Sequence, residues 1–142
     1  MRFTCAFLVF GLLLAFPANA ESVAEPRESA FFSSYGTDLN KTSSTSFEIW
    51  FDVTSNAAPM DLLGVSEIAL YQSVDRHSWS KIKTYTKSAY AFFVDDNTTC
   101  HGGHVTYNFA TPGYYYTARI TFYAKKGINV AETDIYTEIL QM

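Results

Sequence analysis

Two segments with strict alternation of side-chain polarity constrain this chain most. In SFEIWFDVTS (46–55), Phe47, Ile49, Phe51 and Val53 alternate with Glu48, Trp50, Asp52 and Thr54. In YYYTARITFYA (114–124), Tyr114, Tyr116, Ala118, Ile120, Phe122 and Ala124 share one parity, and Tyr115, Thr117, Arg119, Thr121 and Tyr123 the other. A period of two sends successive side chains to opposite sides of an extended backbone, so each segment reads as a strand with one buried face. Beyond the first twenty residues no segment carries the 3.6-residue period of an amphipathic helix. MDLLGVSEIALY (60–71) comes nearest, and Gly64 with the β-branched Val65 and Ile68 disfavours a helix there.

Further strands follow the same logic. GVSEIALYQS (64–73) places Ile68 and Leu70 on one face, and GGHVTYNFA (102–110) does the same with Val105, Tyr107 and Phe109. WSKIKTYTKS (79–88) carries three lysines, which suits an exposed edge. SAFFSSYG (29–36) reads as a first edge strand, DLNKTSST as a turn-rich link, SAYAFFVDDN (88–97) as irregular and VAETDIYTEIL (130–140) as the last strand. Pro59, unable to donate to a ladder, separates the second strand from the third. About seven short strands at such intervals imply an all-β, antiparallel sandwich of the immunoglobulin or fibronectin type III kind. Its expected core is Phe47, Ile49, Phe51, Val53, Ile68, Leu70, Trp79, Val105, Tyr107, Phe109, Tyr116, Ala118, Ile120, Phe122 and Ala124. Burying each large apolar side chain is worth about 1.5–3 kcal/mol, enough in sum to offset chain entropy.

The first twenty residues, MRFTCAFLVFGLLLAFPANA, have the form of a secretory leader. Arg2 is a short basic start, an apolar run follows, and small residues stand at Ala18 and Ala20 before the cleavage point. The run is too short to span a membrane comfortably, and no second spanning stretch follows. The expected organisation is a signal peptide at 1–20, a polar lead-in at 21–28 and one domain at 29–142, which is secreted. Removing Arg2 leaves nine Lys and Arg against fourteen Asp and Glu, a net charge of −5. That balance argues against nucleic acid and anionic lipid as partners. Cys5 departs with the leader, so Cys100 is expected to stay free or to pair between molecules.

TPGYYYTARITFYAKKGINVAETDIYT (111–137) resembles the end of a fibronectin type III domain, where a Pro-Gly turn enters a strand that begins on tyrosine and a Gly-containing hairpin leads to the last strand. The resemblance makes Tyr116 the corner tyrosine, its hydroxyl reaching back to the backbone, and sets Trp79 as the tryptophan beyond the third strand's turn. Across nearly the whole mature chain, FFSSYGTDL, WFDVTSN, MDLLGVSEIALYQS, SWSKIKTYTKS and GYYYTARITFYAKKG resemble a family of small exported proteins, mainly from Gram-positive gut-type bacteria. It is the domain-of-unknown-function family numbered 6147. That likeness implies a one-domain sandwich and export, and it brings no catalytic residues.

Two groups of residues are candidate sites. DDNTTCHGGH (95–104) gathers Cys100, His101 and His104, with Asp95 or Asp96 as a fourth donor, a set that zinc or copper accepts. The spacing follows no paired-ligand motif, and the plainer reading of the same residues is a polar loop entering the next strand, with Gly102–Gly103 as its turn. The second group is aromatic. With the strands in sandwich order, Tyr71, Tyr115, Arg119, Tyr123 and Tyr136 fall on one outward sheet face, where flat rings with polar tips suit a glycan or a protein. The ordinary cross-strand packing of tyrosines is the alternative.

No nucleophile, base and orienting group stand in a recognisable pattern, and no pair of carboxylates is set across a cleft. NKT (40–42) and NTT (97–99) match glycosylation acceptors, and Lys125–Lys126 reads as a solvated hairpin tip. The expected function is therefore a secreted, non-enzymatic interaction module without a cofactor, binding an extracellular protein or glycan. The alternative is a metal-binding or cysteine-dependent protein using 95–104.

Overall fold

A computed structural model of the chain describes residues 31–56 and 58–142. The leader at 1–20, the lead-in at 21–28 and Cys5 lie outside the described residues. Among the described residues nine strands follow in order: β1 (Phe32–Lys41), β2 (Phe47–Ser55), β3 (Met60–Ser73), β4 (Ser80–Thr86), β5 (Val94–Thr98), β6 (Cys100–Tyr107), β7 (Tyr115–Lys126), β8 (Asn129–Tyr136) and β9 (Leu140–Gln141), with a 3-10 turn at Ala91–Phe93. All pairings are antiparallel. One sheet has the order β1-β2-β6, and the other β4-β3-β7-β8 with β5 on β3 and β9 on β7.

The alternation read from sequence sets the faces. On β2, Phe47, Ile49, Phe51 and Val53 are buried, and on β7 Tyr116, Ala118, Ile120 and Phe122 are fully buried against them. The two sheets meet through aromatic contacts, with Phe47 and Tyr116 ring centroids 5.0 Å apart and Tyr35 stacked on Phe122 at 5.2 Å. Tyr116 does reach the backbone: the Thr111 N–H donates to its hydroxyl at 2.8 Å.

Several expectations need correcting. Phe109 is 82% exposed, because β6 stops at Tyr107 and the chain leaves the ladder before the parity reaches it. Trp79 is only half-buried and stands just ahead of β4 on the solvent side. Leu63, Val65, Tyr85 and Phe93 complete the core instead. β1 runs on through DLNK, expected as a link, pairing from Phe32–Ser55 to Lys41–Phe47. The expected irregular stretch contains β5, which pairs with the first part of β3 while β4 pairs with the second. The Lys126 ammonium is not merely solvated; it donates to the Pro59 carbonyl at 2.8 Å and lies 3.4 Å from Asp61. The expectation for Cys100, free or paired between molecules, turns on Cys5, the other cysteine of the chain, which lies outside the described residues.

The β3–β4 turn is organised by one carboxylate. Asp75 accepts from the Ser78 and His77 N–H groups at 2.9 and 2.8 Å and from the Ser73 hydroxyl at 3.0 Å. Those donors, Ser78 first, hold its pKa down at about 2. A folded value below the unfolded one means the stabilisation is complete above about pH 4 and disappears as pH falls toward about 2. Asp75→Ala is therefore expected to melt below the wild type at neutral pH and to converge with it near about pH 2, a difference read from thermal melts across pH.

Candidate functional site: an aromatic groove on the six-stranded sheet

The outward face of the larger sheet is set by register. Tyr71 on β3 stands opposite Thr117 on β7, and Arg119 on β7 stands opposite Tyr136 on β8. Thr117 is short, so the Tyr71 and Tyr136 rings approach across β7 to 6.4 Å between centroids. β8 ends at Tyr136 because Thr137 turns inward and is fully engaged: its N–H donates to Ala118 O at 2.9 Å, and its hydroxyl accepts from Ala118 N–H at 3.0 Å. The turn brings Ile139 to the same side, and Trp79 arrives from the start of β4. Tyr71, Trp79, Thr117, Tyr136, Thr137 and Ile139 together line a shallow, open groove of about 400 Å³ with a mostly apolar surface. Tyr136 is 59% exposed and Ile139 42%.

Of the five aromatic-patch residues, Tyr71 and Tyr136 form this groove and the other three serve elsewhere. Arg119 donates from Nη2 to Glu67 at 2.8 Å, a bond that raises its pKa further, and its buried Nε has no partner among the described residues. Tyr123 is buried under the Lys87 ammonium, 3.5 Å from the ring centroid. Tyr115 lies at the turn end of the face, beneath Arg76. Trp79 and Ile139 went unassigned to the patch in the sequence. Trp79 has the composition of a core residue, and Ile139 comes after an unforeseen break between β8 and β9.

The 95–104 cluster is split by strand parity. Cys100 and His104 pair with Thr54 and Trp50 on the outward face of β2, whereas His101 pairs with Val53 on the inward face. His101 Nε2 lies 2.6 Å from the Phe92 carbonyl oxygen, tying β6 to the 3-10 turn. Asp95 sits on β5, in the other sheet, paired with Leu63, and beside it Asp96 is exposed. Among the described residues no three His, Cys, Asp or Glu side chains converge on a position for a metal ion. The Gly102–Gly103 bend that would have joined the donors is absent, since both glycines are in β6.

These features define an antiparallel all-β protein of two sheets around a shared core, with an aromatic groove on one outer face. No helix among the described residues is long and apolar enough to cross a membrane. No family model matches the chain, and no curated protein matches it. Among solved structures it is similar to the sporulation control protein Spo0M from Bacillus subtilis, at 11% identity and a TM-score of 0.40 over 73% of this chain. It spans 48% of that protein's length.

Proposed function

We propose that the chain is an exported, non-enzymatic interaction module of the 6147 family, an immunoglobulin or fibronectin type III-like sandwich that binds an extracellular glycan or protein through the Tyr71–Tyr136 groove. The observation that carries this reading is the groove itself: two aromatic rings and two further apolar side chains lie together on a solvent-facing sheet surface. Exposed apolar clusters of this kind mark interaction sites more often than chance. The sandwich assignment is supported by the strand order, with β1-β2-β6 facing β4-β3-β7-β8, and by the Tyr116–Thr111 corner bond. Export is supported by the leader pattern at 1–20. A binding rather than a catalytic role is supported by the dispersal of the three histidines. His77 lies in the β3–β4 turn, and His101 and His104 face opposite ways.

The test is binding of the purified protein to an immobilised panel of cell-wall and mucin-type glycans and extracellular matrix proteins. Tyr71→Ser with Tyr136→Ser is expected to remove binding while the melting temperature stays within about 3 °C, since Tyr136 is exposed and Tyr71 half-buried. Tyr123→Ser is a fold control and lowers stability instead, because its ring is buried. Binding that survives the double replacement, or no binding across the panel, overturns the groove assignment.

A further inference from the structure

The outward face of the three-stranded sheet is chemically unlike the rest of the molecule. Register across β1, β2 and β6 fixes it as four rows: Asn40–Glu48–Thr106, Asp38–Trp50–His104, Gly36–Asp52–Gly102 and Ser34–Thr54–Cys100. Three of the twelve positions are carboxylates and none is Lys or Arg. At the centre of the middle strand Trp50 is 41% exposed. Its indole is fixed in place: Nε1 donates to Glu48 at 2.8 Å, and His104 stacks on the ring at 4.3 Å between centroids. Beside it, the Asp52 carboxyl packs over Gly36, where a Cβ would overlap its Oδ1. The residue is exposed as a whole, yet this packing desolvates the carboxyl enough to raise its pKa. Among the described residues no hydrogen bond or ion pair reaches Asp38 or Asp52.

We infer that this face binds cationic side chains of a basic polypeptide segment, with Trp50 as the platform and Asp38 and Asp52 as counter-charges. A carboxylate only accepts hydrogen bonds, so the ligand must bring the donors. Trp is the best aromatic partner for an ammonium or guanidinium, and the attraction grows as water is excluded. A neutral sugar would find few donors here, because the indole N–H is already committed to Glu48. Residues two apart on a strand lie about 7 Å from each other, the repeat at which an extended chain presents alternate side chains, so a peptide along β2 can address Trp50 and Asp52 together. The pre-set indole loses little freedom on binding. The face lies across the core from the Tyr71–Tyr136 groove, and the inference does not rest on that groove.

The chain has two tryptophans, so Trp79→Phe leaves Trp50 as the sole fluorescence reporter. Hexa-arginine is titrated against this variant, with hexaglutamate and cellohexaose as comparison probes. A saturable change in Trp50 emission is expected with hexa-arginine alone, and affinity should fall about tenfold or more when salt is raised from about 20 to 300 mM. Asp38→Asn with Asp52→Asn weakens it about fivefold or more, whereas Glu132→Gln with Glu138→Gln, an equal charge change at exposed positions on β8 and in the link that follows it, leaves it unchanged. Trp50→Ala, followed by calorimetry, removes binding. Failure to saturate at low salt, equal effects of the two carboxylate pairs, or a response to cellohexaose instead overturns the inference.

Discussion

Tyr116→Ala is expected to lower the unfolding free energy by about 4–5 kcal/mol, and Tyr116→Phe by about 1–2 kcal/mol, in urea denaturation with an unchanged m-value. The ring is fully buried between the sheets, 5.0 Å from Phe47 and 6.2 Å from Tyr107. Alanine there leaves a cavity that neither sheet can close without moving as a whole. The hydroxyl has a separate role. It accepts the Thr111 N–H at 2.8 Å and lies 3.5 Å from the Gln72 amide oxygen, so it anchors the connection that carries the chain from β6 in one sheet to β7 in the other. Ala110 N–H, one residue earlier, donates to Thr45 O, so this crossover is held at two consecutive residues. Phenylalanine keeps the ring and deletes only the anchor. A wild-type-like phenylalanine variant would mean the corner bond contributes nothing. Two small effects together would mean the inter-sheet contact is not where stability resides.

Gly64→Ala is expected to cost about 3 kcal/mol or more and to loosen β5 specifically. Gly64 pairs with Val94 on one side and Tyr123 on the other, and its φ is 157°. A Cβ built there would overlap the carbonyl oxygen of Phe93, which is backbone and cannot rotate away. The 3-10 turn and β5 must then peel from β3. Gly113→Ala and Gly127→Ala are the comparison: both glycines have left-handed φ values, 85° and 60°, but open space around them. They should lose only the conformational penalty of about 1–2 kcal/mol. Amide exchange of Val94–Thr98 should accelerate in the Gly64 variant and not in the other two. Equal costs at all three glycines would mean that β5 is not closely seated on β3.

What could be read from the sequence follows from where alternation is strong. β2 and β7 are the middle strands of their sheets, each with one face in the core, so their side chains alternate cleanly and their faces were foreseeable. β1 was half hidden because DLNK, on an edge strand, mixes Leu39 with polar residues whose strand character comes only from pairing with β2. β5 was hidden for the same reason: VDDNT buries almost nothing itself, and Phe93, the buried residue before it, sits in the 3-10 turn. The 95–104 cluster looked like a site because its donors adjoin in sequence. In an extended strand that adjacency sends them to opposite faces, and His101 and His104 went in and out accordingly. The groove residues Tyr71 and Tyr136 were legible from parity alone. Arg119 was not separable from them, since its capture by Glu67 depends on a diagonal across β3 and β7 that a bulge between Val65 and Glu67 helps set.

Amide chemical-shift mapping on the isotopically labelled protein tests the binding reading most directly, with titrations of soluble wall and mucin-type oligosaccharides, of any protein retained in the panel experiment, and of zinc. Shifts confined to the outward positions of β3, β7 and β8 and to Thr137–Ile139, with the probe unchanged in its own spectrum, are the predicted result. Cleavage products appearing in the probe spectrum, or zinc-dependent shifts converging on Asp95–His104, would contradict it.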